Sequence, residues 1–97
     1  MHARVTSLGG SPDDVESGIS SFRENVVPFT QEQGGKGSIL LVDRSSGKAI
    51  AITLWEDEQA LRASEERANA LRAQAADDMG AAQEPSVERY EVAIFET

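Results

Sequence analysis

Residues 38–57 read SILLVDRSSGKAIAITLWED. Two apolar runs, 39–42 and 49–55, flank the turn Asp43-Arg44-Ser45-Ser46-Gly47-Lys48. Asp accepts hydrogen bonds from a turn backbone and Gly supplies the positive φ that a short hairpin loop needs. The stretch is therefore expected to be a β-hairpin. Side chains alternate along a strand, so Ile50, Ile52 and Leu54 share one face, while Ala49, Ala51, Thr53 and Trp55 share the other. An antiparallel strand with one wet face alternates apolar with polar, and this one does not. Both faces call for cover, one from helices of the same chain and the other from a second subunit.

Helical spacing appears on either side of the hairpin. Ser11-Pro12 is a helix start, with Ser as N-cap and Pro at the first helical position, followed by Asp13, Asp14 and Glu16 in the positive first turn. Val15, Ile19, Phe22, Val26 and Phe29 then recur every three or four residues as one apolar stripe. Gly18 beside that stripe suits close approach to the sheet, and Pro28 is expected to kink or end the helix. After Trp55, Glu56-Asp57-Glu58 caps a second helix over 58–79, with a thin stripe of Leu61, Ser64, Ala68, Leu71, Ala75 and Met79. Gly80 is its expected C′ residue, with a loop over 81–85. Glu58 and Arg62 stand in the favourable i,i+4 order. A β-prone run, HARVTSL, precedes the first helix, and VERYEVAIF over 87–95 follows the second. The order is β-α-β-β-α-β. It predicts one α+β domain over 1–97, ferredoxin-like, with two helices on one face of a four-stranded antiparallel sheet.

Composition narrows the function classes. The chain has 97 residues and a formal net charge of −8, from 17 acidic and 9 basic side chains. That balance disfavours nucleic acid and anionic membranes, whose binding draws on basic surfaces. No apolar run approaches the roughly 20 residues of a spanning helix, and MHARVTSLGG lacks the core of a signal peptide. With no cysteine there is neither disulfide framework nor thiolate chemistry, which fits a cytoplasmic protein. One His and scattered acids give no metal-ligand spacing. Glu65-Glu66 reads as part of a solvated helix face. Gly34-Gly35-Lys36-Gly37 resembles a P-loop only superficially, because the upstream Gly is absent and a strand follows where a helix is needed.

The site candidates follow from the hairpin. Trp55, beside three small side chains, either completes a core or, with Phe22 and Phe29, walls an apolar cavity between sheet and helices. His2 is the one imidazole, and Arg4 and Thr6 share its strand face. Tyr90 is the one phenol.

The segment LLVDRSSGKAIAITLWEDEQAL, within this β-α-β-β-α-β order, resembles the dimeric α/β-barrel superfamily. Its Thr53-Leu54-Trp55-Glu56 and Glu58-Gln59-Ala60-Leu61 most resemble the antibiotic-biosynthesis-monooxygenase-like (ABM) family. The resemblance implies a homodimer pairing through its sheet faces into a barrel, and a pocket in each subunit lined by Trp55. It also implies cofactor-free oxygenation of polyphenolic or polyketide-type aromatics. The haem-degrading relatives use a first-strand Asn and a second-helix His; both are missing here. An electron-rich phenol, once deprotonated, itself reduces O₂, so no cofactor or metal is required. On that expectation His2 is the base and Arg4 the anion partner, with Trp55, Phe22, Phe29, Thr53 and Tyr90 around the substrate. The rival expectation is a non-catalytic homodimeric binding or structural protein of the same fold.

Overall fold

The hairpin forms where the sequence places it. In the computed structural model, which describes residues 1–78 and 85–97, β2 (Gly37–Asp43) and β3 (Lys48–Trp55) pair antiparallel, with Ile39 opposite Ile52 and Leu41 opposite Ile50. Asp43 Oδ1 accepts from the Ser45 amide at 3.0 Å, and the Gly47 amide donates to the Asp43 carbonyl at 2.8 Å. Gly47 takes φ +81°, and a Cβ there would lie 2.5 Å from the Ser11 carbonyl carbon. The turn thus needs glycine for its backbone angle and for its fit against the start of the first helical segment.

β1 (His2–Leu8) pairs with β3 on one side and with β4 (Ser86–Glu91) on the other, giving the antiparallel order β2-β3-β1-β4. This is the ferredoxin-like arrangement, with the first and third strands central. β4 is shorter than the 87–95 expected from the sequence. Its register reaches His2 opposite Glu91, and the Val92 amide then bonds the Met1 carbonyl at 2.8 Å. Among the described residues β4 is an edge strand, and Ile94 and Phe95 beyond it stand exposed.

The first helical segment is longer and less regular than its stripe implies. Ser11 Oγ accepts from the Asp13 amide, and a 3₁₀ turn (Pro12–Asp14) leads into α1 (Val15–Ser21). A π turn (Phe22–Val26) follows, in which the Val27 amide reaches the Phe22 carbonyl, and then α2 (Val27–Glu32). Pro28 therefore does not end the helix. It lacks an amide hydrogen and crowds the preceding turn, and the wider π turn absorbs both effects before the helix resumes. The end comes at Gly34, at φ +81°, with the Gly34 amide bonding the Gln31 carbonyl and the Gly35 amide the Thr30 carbonyl.

The second helix is divided. Asp57 caps α3 (Glu58–Ala63) by accepting from the Ala60 amide at 2.8 Å, and α4 (Glu65–Asp78) starts after a break at Ser64. The Leu61 carbonyl, which an unbroken helix would offer to the Glu65 amide, instead accepts from Arg4, the Ser64 hydroxyl and the Ser64 amide. Leu61, Ser64 and Ala68 are buried and Leu71 is half-buried, as the stripe predicts. Gly80, Met79, the loop over 81–84 and the side chain of Ala75 lie outside the described residues.

All helices cover one sheet face. The other carries Val5, Ile39, Leu41, Ile50 and Ile52, with Ile39 and Leu41 exposed. Among the described residues no helix is long and apolar enough to cross a membrane.

Candidate functional site

The helix-facing side chains of β3 run Ala49, Ala51, Thr53, Trp55, small until the last. Trp55 is fully buried and packs with Phe29, Leu61 and Ala68, while Leu8 and Ala49 form a second cluster with Leu40 and Val42. The core is therefore in two parts, and between them lies a partly open cavity of about 60 Å³. Phe22, Val26 and Phe29 from the first helical segment form one wall; Ala68, Leu71 and Arg72 of α4 form another. The floor is Arg4, Thr6 and Leu8 of β1 with Ala49, Ala51 and Thr53 of β3.

Among the described residues, Arg4 and Arg72 are the charged side chains of this lining. Arg4 is 4% exposed, and its Nη2 donates to the Leu61 carbonyl, Ser64 Oγ and Glu65 Oε2 at 2.8, 2.9 and 2.8 Å. Its guanidinium also lies over the Trp55 ring. Burial, helped by the charge of Arg89, pulls the Arg4 guanidinium down to about 10, so it remains a cation at neutral pH. Burial, then the charge of Arg4, also lowers Arg72. Glu65 is shared: it pairs with Arg4 and Arg89, and stands 3.9 Å from Arg72 Nη2. It does not sit on a solvated helix face as its sequence context suggests, because the break at Ser64 turns it toward Arg4.

The structure brings together only some of the residues singled out from the sequence. Arg4, Thr53, Phe22 and Phe29 line the cavity. Trp55 lies outside the lining, and its indole N–H donates to Thr53 Oγ1 at 3.0 Å, so it supports the floor. His2 lies in a separate surface hollow with Glu58, Leu61, Glu65 and Tyr90, and its Nδ1 is buried without a partner among the described residues. It is not among the residues that line the cavity. Tyr90 pairs with Ala3 on β1, on the strand face away from the helices, and donates its hydroxyl to Glu88 at 2.6 Å. Arg72 went unmarked in the sequence. Its signal was present: it follows Ala68 by four residues and Glu65 by seven, which places all three on one helix face.

No family model matches the chain. Two uncharacterised proteins of Mycobacterium tuberculosis strain H37Rv, Rv2557 and Rv2558, are 36% and 40% identical to it over 96 residues. Each alignment takes in 98% of this chain but 42% and 40% of those proteins, so the chain spans about two-fifths of the length of the curated relatives it matches. A monooxygenase from the gene ActVA-Orf6 of Streptomyces coelicolor, solved with the ligand nanaomycin D, superposes with TM-score 0.76 at 17% identity, over 99% of this chain and 92% of that one. The chain has the antibiotic biosynthesis monooxygenase fold.

Two further structures with this ABM fold bear that out. A crystal structure of an antibiotic biosynthesis monooxygenase matches with TM-score 0.68 at 18% identity, over 97% of this chain and all of that one. A variant of SnoaB, a cofactor-independent oxygenase from Streptomyces nogalater, matches with TM-score 0.68 at 19% identity, over 97% and 94%. What these likenesses carry is the fold; the Arg4–Glu65–Arg72 arrangement is read from this chain's own residues.

Proposed function

We propose that this chain is a homodimeric member of the ABM family that binds a small aromatic molecule in the cavity and oxygenates it without a cofactor. The observation that carries this reading is the cavity itself, apolar on the Phe22 and Phe29 side and cationic at Arg4 and Arg72, in a fold shared with a monooxygenase solved around nanaomycin D. Two guanidiniums beside a bound phenol favour its phenolate, and the proton leaves to solvent through the open side. The anion supplies the electrons: a ring carbon exchanges its one hydrogen for an oxygen atom, the phenol oxygen gives up its proton, and the phenol leaves as a quinone while the second oxygen atom departs with those two hydrogens as water. Size limits the ligand. An engineered cavity of roughly 150 Å³ takes one benzene ring, so about 60 Å³ suits a single ring that protrudes or moves a neighbour. The apolar open sheet face supports the homodimer, since a second copy would bury Ile39 and Leu41.

Oxygen uptake with single-ring hydroquinones and phenols is the test. Uptake in proportion to protein, abolished by Ala51→Leu, which fills the cavity from its floor, is expected. A second reading is favoured by one observation: among the described residues no side chain of the lining is a neutral-pH base. Saturable binding without oxygen uptake would replace the enzyme by a non-catalytic binding protein.

A further inference from the structure

Three guanidiniums, those of Arg4, Arg72 and Arg89, share the single carboxylate of Glu65, the one acidic group paired with any of them among the described residues. Two of the three line the cavity, and among the described residues no acidic side chain does. Arg4 Nε and Arg72 Nη2 are moreover buried with no hydrogen-bond acceptor among the described residues. A buried N–H without an acceptor is costly, and a buried cation without its counter-charge more so. The opposite end of the cavity is Leu8, Leu40 and Phe22, wholly apolar.

We infer that the Arg4–Arg72 end of the cavity is an anion subsite, which selects a small apolar acid by its carboxylate. This rests on the proposal that the cavity is the binding site, and narrows its ligand from aromatic molecules in general to those bearing a carboxylate. A carboxylate offers two oxygens to planar guanidinium donors and supplies the missing negative charge. A neutral amide of the same shape offers one acceptor oxygen and no charge. The confined volume favours a benzoate- or phenylacetate-sized acid over a fused-ring one.

Calorimetric titration of the intact protein with benzoate, benzamide and hydroquinone, each also followed by Trp55 fluorescence, tests this. Benzoate and benzamide are close in shape and differ in charge. Benzoate is expected to bind roughly tenfold or more tighter than benzamide, as for a hydrogen bond to a charged group. In Arg72→Gln that preference is expected to fall to about twofold. Equal affinity for benzoate and benzamide, or a benzoate preference that survives Arg72→Gln, overturns the anion subsite. Binding of hydroquinone alone overturns it too but leaves the cavity reading in place, whereas failure of all three compounds removes both. The benzoate–benzamide comparison in the unaltered protein decides the matter even if Arg72→Gln does not fold.

Discussion

The Arg4 guanidinium lies 5.6 Å from the centre of the Trp55 ring, so the one buried cation of the first strand rests on the residue that closes the third. Trp55 also donates to Thr53, a floor residue of the cavity. Trp55→Phe removes that donor and part of the stacking surface and leaves unfilled space. It should cost about 2 kcal/mol, a fraction of a full Trp truncation, and lower the melting temperature by roughly 10 °C for a domain of this size. A calorimetric scan checks it; an unchanged melting temperature would mean that the floor repacks around Phe.

Glu65 is the shared counter-ion, about a quarter exposed against the nearly buried Arg4. Glu65→Gln keeps the shape but removes the charge. It should destabilise by about 2 kcal/mol, less than a fully buried pair because water reaches part of the carboxylate. Urea unfolding at low and high salt measures this. A loss under about 0.5 kcal/mol would put the pair among ordinary surface ion pairs.

Gly47 meets backbone atoms of Gly10, Ser11 and Pro12 within 2.6 Å of a Cβ position, at a φ that L-residues avoid. Gly47→Ala should therefore cost about 2 kcal/mol or more, since strain and collision act together. A loss below about 1 kcal/mol would indicate that the turn slides away from the helix start.

Asp43 accepts hydrogen bonds from the Ser45 and Ser46 backbone, which hold its carboxyl below the ordinary 3.8. A depressed acid stabilises the folded state in its charged form. Its contribution is present above the unfolded value and is lost as pH falls through the lower folded value. Carbon NMR of the Asp43 carboxyl across an acid titration should find its midpoint under 3.8. A midpoint at or above that value would mean that the turn bonds are not kept in solution.

Leu41 is 51% exposed on the sheet face that no helix covers. Sedimentation of the unaltered protein is expected to give a dimer, and of Leu41→Glu a monomer, because a charge within a paired apolar face is left without solvent. A monomer in both cases would leave the face bare and refute the barrel.

The elements were legible because their signals are local. The alternation of β3, the Asp43–Gly47 turn, the Ser11-Pro12 start and the Asp57 cap each depend on residues within one turn of one another. So the βαββαβ order, the sheet faces and the small-side-chain floor of Ala49, Ala51 and Thr53 all follow from spacing. Where a distant partner decides the outcome, spacing is silent. The second helix breaks at Ser64 because an arginine some 60 positions earlier takes the Leu61 carbonyl. β4 ends at Glu91, opposite His2, a register set by pairing with a strand some 85 positions earlier. His2 and Arg4 share a strand face in sequence, yet packing sends one to a surface hollow and the other to the cavity floor. Trp55, the most conspicuous residue, supports the floor of the cavity, and Arg72, unmarked in its Ala-rich helix, lines it. A side chain's burial and charge partners are set by contacts across the chain, and only the closed fold makes those contacts.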